Sequence, residues 1–345
     1  MSVFKGVGVE SLILNVQNSQ KDEYSLRLLH DTTFENIIIL DKTKDIDKLF
    51  RPEILFEFEH LENYDLLGDI CYISYGLRPN ANEKIAKGEF GKDDLISDVK
   101  TDINSKKYIE GKYIKPYQIN EIKFLEWDTE RVPNKIRRPT FPELYEHSKI
   151  IRGTTTGAIY DDTQMICNHS CSVIVSYESL KGVENKSIKG SIKKWTSKSR
   201  EELEIISQNY DLWYILAILN SNMSYSYLNS IRKHRIRNYF YPDDLKKLPI
   251  KQISSQQQEK LANYAQKITK NYEQIHKINN TFKNWLKNTF EIDILSKKLE
   301  NYHELTFKQF LNEIKKNKVN TKKLETYTLL EEGYNEFFIK DYSID

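Results

Sequence analysis

Cysteine is scarce, with three in 345 residues. An odd, small number argues against a disulfide framework and fits a reducing cytoplasm. No apolar run approaches the roughly 18 residues that a membrane-spanning helix needs. The opening "MSVFKGVGVE" also lacks the basic and apolar regions of a signal peptide. The expectation is a cytoplasmic protein with no membrane partner. Net charge is nearly missing too, 52 basic residues standing against 50 acidic ones, so bulk charge excludes no class of partner. Its distribution is more informative. Acids crowd the stretch holding Asp41, Asp45, Asp47, Glu53, Glu57, Glu59 and Glu62. Bases crowd Arg232, Lys233, Arg235, Arg237, Lys246, Lys247 and Lys251, against only Asp243 and Asp244. Such polarity offers one face to an anionic polymer and another to a basic partner. The hydrophobic fraction of 39% is low, but 22 Tyr and 15 Phe supply core area.

Along the chain, "SLILNVQ" (Ser11–Gln17), "YSLRLLH" (Tyr24–His30) and "NIIIL" (Asn36–Leu40) are short strand-like runs between polar turns. From Leu66 to Lys194 the pattern stays strand-like and loop-rich, with weak helical periodicity. Near Ser199 it changes: Leu203, Ile206, Leu212, Ile215, Leu216, Leu219 and Met223 have helical spacing. "LPI" (Leu248–Ile250) closes this region. A long helix follows, with Ser254 or Ser255 as its cap and Leu261, Tyr264, Ile268, Tyr272, Ile275 and Ile278 as its apolar stripe. Two shorter amphipathic helices are expected around "LTFKQFLNEIKK" and "KLETYTLLEEGYNEFF".

Most motifs that invite chemistry fail on inspection. "SKIIRGTTTGAIYDDT" (Ser148–Thr163) has glycines, but no Lys-Ser/Thr pair follows Gly157, and strands flank it where a phosphate loop would open a helix. It reads either as a β-turn or as a nucleic-acid contact through Lys149, Arg152, Thr154, Thr155 and Thr156. "FKGVG" (Phe4–Gly8) matches a short S-adenosylmethionine motif, but it lies too near the start for a full strand and no helix follows. "CNHSC" (Cys167–Cys171) brings His169 and two thiols, short of the four ligands of a zinc site, and reads as a packed strand. "YPDDLKK" (Tyr241–Lys247) resembles a nuclease set, but its acids are adjacent, and Asp243 reads better as a helix cap.

The basic stretch Asn229–Ile250 is the most informative. Arg232, Lys233, His234, Arg235 and Arg237 alternate with Ile231, Ile236, Tyr239 and Tyr241. Guanidinium groups reach phosphates and guanine edges, and Asn238 suits adenine. The same stretch also reads as a solvated cationic helix end. A second basic set, "KKWTSKSR", joins Lys193 and Lys194 to Trp195.

Taken in order, "LGDICYISYGLRPNAN", "GKYIKPYQI", "SKIIRGTTTGAIYDDTQMICNHSCSVI", "LWYILAILNSNMSYSYL" and "LKKLPIKQISSQQQEKLANYAQKI" resemble the TaqI-like target-recognition domain of type IIG and type I restriction–modification systems. The resemblance spans about Asp65 to Asn280 and rests on order, not on one motif. "FKGVGVESLILNVQ" resembles the last strand of the N6-adenine methyltransferase domain that precedes such modules. The resemblance implies an α+β chain: remnant strands in 1–50, a loop-rich β recognition domain in 51–252, and a helical region in 253–345. It implies double-stranded DNA as one partner and a methyltransferase domain or subunit as the other, with the target adenine flipped into that partner's active site. The family's Asn/Asp-Pro-Pro-Tyr/Phe motif is absent, since no two prolines are adjacent, and so is its cofactor loop. The chain therefore resembles the C-terminal portion of a larger enzyme. No catalytic, cofactor-binding or metal residue is expected in it, S-adenosylmethionine and Mg²⁺ belonging to the other domains. Expected DNA contacts are Arg78, Lys149, Arg152, Thr154–Thr156, Lys193–Trp195, Arg232–Arg235, Arg237, Asn238 and Tyr239. Two other classes remain open: a stand-alone nucleic-acid-modifying enzyme, and a helical interaction subunit built on Ser254–Phe290.

Overall fold

A computed structural model of the chain describes residues 24–29, 37–43, 63–155, 157–231 and 239–342. The chain is α+β, with short strands leading and helices following. Strands β1 (Tyr24–Leu29) and β2 (Ile37–Thr43) form an antiparallel pair, as their apolar runs predict. The Ser11–Gln17 run lies outside the described residues. Next come β3 (Tyr64–Leu66), one helical turn α1 (Leu67–Ile70), β4 (Cys71–Tyr75), β5 (Arg78–Ala81), β6 (Ile96–Ser97) and β7 (Lys106–Ile109). They are followed by β8 (Ile114–Lys115), β9 (Gln118–Ile119), β10 (Lys123–Leu125), β11 (Ile136–Arg138) and helix α2 (Glu143–Glu146). Strands β12 (Lys149–Gly153), β13 (Ala158–Asp161), β14 (Ile166–Cys167) and β15 (Cys171–Ser176) complete the β-rich stretch.

The organising element is an antiparallel sheet in the order β13-β12-β15-β4. Successive side chains of a strand point to opposite faces, and here both faces are covered. Ile151, Val173 and Val175 join Tyr108, Leu125 and Trp127 on one side. Ile150, Ile174 and Ile73 join Tyr214, Leu216 and Phe240 on the other. A sheet buried on both faces needs continuous apolar runs instead of alternation, which is why "CSVIVS" reads as it does. Every residue of β12 and β15 is buried.

Helices contribute to both cores. The helix α3 (Lys186–Trp195) departs from the strand-like expectation up to Lys194. Its apolar face is thin, with only Ile188 fully buried, so the sequence carries little helical signal there. Asn185 caps it by accepting from the Ser187 N–H at 2.8 Å. Helix α4 (Arg200–Ser207) starts at a capping box of Ser199 and Glu202. Helix α5 (Leu212–Leu219) starts at Asp211, whose carboxylate accepts from the N–H groups of Trp213 and Tyr214. Trp213 stacks on Tyr160 of β13 with ring centres 4.1 Å apart. Helix α6 (Asn222–Ile231) leads to the basic run, and α7 (Pro242–Leu245) follows it. Asp243, expected as the cap of α7, is not that cap. The acceptor is Asp244, which takes the Tyr241 N–H at 3.0 Å. Strand β16 (Pro249–Lys251) then pairs with β3, so "LPI" returns the chain to the start of the β-rich stretch.

The long helix α8 (Ser255–Phe290) is capped by Ser254, whose hydroxyl accepts from the Gln257 N–H. The chain divides into compact units 1–263 and 264–345, with the division inside this helix. The first turn belongs to the first unit because Gln258 is tied there: it accepts from the Asp211 N–H and donates to Asn209 O. In the second unit, Phe282 and Leu286 pack with α9 (Lys297–Glu300), α10 (Phe307–Lys315) and α11 (Leu324–Tyr342) around Tyr302, Phe310, Ile314 and Leu330. The stripe expected to pack is instead solvent-facing at Leu261, Tyr264, Ile268 and Tyr272, while Ala262 and Ala265 are buried. No helix among the described residues is long and apolar enough to cross a membrane.

Candidate nucleic-acid interface

The loop of Gly and Thr residues after β12 is held tightly. Gly153 N–H donates to Gly157 O, and Thr154 N–H donates to Ser170 O. A Cβ on Gly157 would stand 2.1 Å from the Pro116 backbone nitrogen, so this glycine is a close-packing requirement and not a phosphate cradle. Asn220 finishes the edge of β13, exchanging hydrogen bonds with the backbone of Ala158.

Two expected DNA contacts in this segment are interior. Lys149 has 0% exposure, and its ammonium donates to Asp161 Oδ2 at 2.5 Å and to Tyr145 O at 2.9 Å. Arg152 is also buried, donating to Gly153 O with its guanidinium 4.8 Å from the Phe240 ring centre. Burial pulls that guanidinium down to about 10, so it stays charged at neutral pH. Both lie on a strand covered on two faces, which leaves them no path to a ligand. Thr154 is half-buried and Thr155 exposed, while Thr156 lies outside the described residues.

The basic run Arg232, Lys233, His234, Arg235, Arg237 and Asn238 is also outside the described residues. Its two attachments are not. Ile231 ends α6 against the second core. On the far side, Phe240 N–H donates to Thr154 O at 2.9 Å, and Phe240 sits between Arg152 and Tyr225. Beyond residue 238, Tyr239 and Tyr241 stand with ring centres 6.4 Å apart.

Tyr241 in turn contacts Tyr75 at the end of β4, edge to face at 6.4 Å. Over the Tyr75 ring stands the guanidinium of Arg138, 5.4 Å from its centre. Burial, then the neighbouring Tyr241 and Asp243, push the Tyr75 phenol up to about 12 against the pull of Arg138. It remains a hydrogen-bond donor at neutral pH. These groups edge a groove of about 640 Å³ lined by Tyr72, Tyr75, Arg138, Phe141, Asn185 and Ser187. Arg138 on β11 is paired in register with Arg78 on β5. Neither they nor Arg137 makes an ion pair among the described residues. Arg137 and Arg138 are exposed and Arg78 half-buried.

The second basic set joins this face through Asp243, which lies 3.7 Å from Lys194 Nζ and 3.3 Å from Lys246 Nζ. Lys193 and Lys194 are exposed in the last turn of α3. Trp195 is half-buried and engaged within the fold, its indole N–H donating to Asp69 Oδ1 at 2.9 Å. The structure therefore brings Arg78, Lys194 and Tyr239 to this face, while Lys149 and Arg152 are interior. It adds Tyr75, Arg137, Arg138 and His169. The sequence signal for the two arginines was the Arg-Arg pair of "KIRRPTFP", which no aromatic interleaving marked out, and His169 stood out only within "CNHSC".

"CNHSC" is a turn between β14 and β15. Cys167 and Cys171 are buried free thiols, and no cluster of metal-ligating residues occurs among the described residues. A family model described as "Domain of unknown function (DUF8810)" matches residues 254–336, which span most of α8 to α11. No curated protein matches the chain.

Proposed function

We propose that this chain is the double-stranded DNA recognition module of a restriction–modification system, acting beside an N6-adenine methyltransferase domain or subunit. The observation that carries the reading is the Arg78–Arg137–Arg138 set beside Tyr75 and Tyr241, with no carboxylate ion pair to these arginines among the described residues. Cations without carboxylate partners are suited to phosphate oxygens and guanine edges. The order of the segments resembling target-recognition domains supports the same conclusion. Catalysis and its S-adenosylmethionine and Mg²⁺ belong, in this reading, to the partner.

Anisotropy of a labelled duplex across a salt series tests it. Binding that weakens with salt is expected, and Lys193→Gln with Lys194→Gln lowers the slope by about 1 to 2, each phosphate contact contributing about 0.9. Absence of duplex binding at low salt refutes the reading. The exposed stripe Leu261, Tyr264, Ile268 and Tyr272 favours a second one, a helical interaction subunit. In that case sedimentation shows a stable oligomer and the duplex stays free.

A further inference from the structure

Gly76 sits at the turn from β4 to β5, where a Cβ would meet the Cys167 and Asn168 carbonyl oxygens at 2.3 Å. Only a residue without a side chain lets these two segments come so close. The contact sets Leu77 in a parallel bridge with Asn168, which brings the next residues, Arg78 and His169, side by side. The β5–β11 register adds Arg138 opposite Arg78. Three short segments, far apart in sequence, thus converge cationic or protonatable side chains on one spot.

Two nitrogen atoms there are buried without a hydrogen-bond partner, Arg78 Nε and His169 Nδ1. Buried polar atoms are almost always paired, so these two nitrogens are open to an acceptor atom of a ligand or to water. The surroundings decide which charge such a ligand carries. The carboxylate acting on the spot is Glu110, and it is already engaged by Lys92 at 2.9 Å and Lys112 at 3.4 Å. Three guanidinium groups outweigh it.

We propose that Arg78, Arg138 and His169 form one cradle for a single phosphate group. That the phosphate is a DNA backbone diester rests on the function proposed above; the cradle itself does not. The charged groups that act on the His169 ring are Arg78 from β5, Arg137 and Arg138 from β11, and Glu110 after β7. Burial first, and then Arg78 and Arg138, hold the free imidazole below its ordinary range, with Glu110 opposing. A seated phosphate reverses that balance and draws a proton onto the ring, so binding of a phosphate diester, whose own charge is constant, strengthens as pH falls towards the lowered pKa of the free imidazole.

The test uses the full chain with ¹³C-labelled histidine, the His169 signal being assigned by its loss in His169→Gln. Inorganic phosphate and a short duplex are titrated separately, each over a pH series. The expected result is a shift of the His169 signal and a rise of its apparent pKa by about 1 to 2 on adding phosphate. Both effects disappear in Arg78→Gln and in Arg138→Gln, the latter replacing an exposed side chain whose loss spares the core. A His169 signal unmoved by phosphate and duplex overturns the cradle, as does an equal response in Arg138→Gln. Response to phosphate without duplex binding keeps the cradle and rejects the DNA reading. Duplex binding with His169 unmoved does the reverse.

Discussion

Replacing Asp161 with Asn separates a structural Lys149 from a DNA-contacting one. The Asp161 carboxylate accepts from Lys149 Nζ at 2.5 Å, from the Thr163 N–H and hydroxyl at 3.0 and 2.7 Å, and from the Met165 N–H at 2.9 Å. Both side chains are essentially inaccessible, at 0% and 2%. Breaking such a pair from one side leaves a buried charge uncompensated and costs about 3–5 kcal/mol. Asp161→Asn leaves the buried ammonium with neutral carbonyl acceptors only and no counter-charge, so it belongs at the upper end. Lys149→Met leaves a carboxylate that keeps three other donors, so it belongs at the lower end. At roughly 2–4 °C per kcal/mol for a domain of about 200 residues, melting falls by roughly 6–20 °C. The double variant loses less than the sum, because the pair is a coupled unit. Circular-dichroism melts of the four proteins provide the readout. An unchanged melting temperature in Lys149→Met, together with weakened duplex binding, refutes the interior assignment.

Gly76→Ala, by forcing a Cβ onto backbone oxygens at 2.3 Å, is expected to lower stability and to abolish the phosphate response of His169; a wild-type melt and response contradict the role given to this turn. Cys71, Cys167 and Cys171 are buried, and burial pushes the Cys71 and Cys167 thiols up, so a thiol reagent should label none of them until denaturant is added; rapid labelling of the native chain contradicts that. Burial raises the pKa of Glu126, but hydrogen bonds from Arg131 and Thr129 outweigh it and leave the carboxyl below its ordinary value. A carboxyl depressed in the folded state adds stability above its unfolded pKa of about 4.3, and that stability is lost as pH falls through the folded value. Glu126→Gln should therefore flatten the acid limb of a stability–pH curve below about pH 4.3; parallel curves contradict the assignment.

The α+β class and most strands were legible because burial writes itself into sequence as periodicity. "CSVIVS" had to be apolar on both faces, and "LPI" had to end the helical stretch to reach β3. The helix Lys186–Trp195 was hidden because it buries little beyond Ile188. The α8 stripe misled for the opposite reason: helical spacing specifies which residues share a face, not whether anything covers it. Site residues were less legible still. Lys149 and Arg152 carry the side chains of a DNA contact, but strand pairing and two-sided cover turned them inward. Arg78, Arg138 and His169 lie in separate segments, and only the Leu77–Asn168 bridge and the β5–β11 register bring them together. Such convergence is a property of tertiary contacts that no local pattern encodes.

Selection from a randomised duplex library tests the central claim most directly. Purified full-length chain, captured with its bound duplexes at moderate salt over several rounds, is expected to enrich one short motif. That enrichment should fall away with Arg137→Gln and Arg138→Gln, whose side chains are exposed beside the groove. Recovery of unselected sequence at every round, or of no duplex at all, would contradict sequence-specific recognition by this chain.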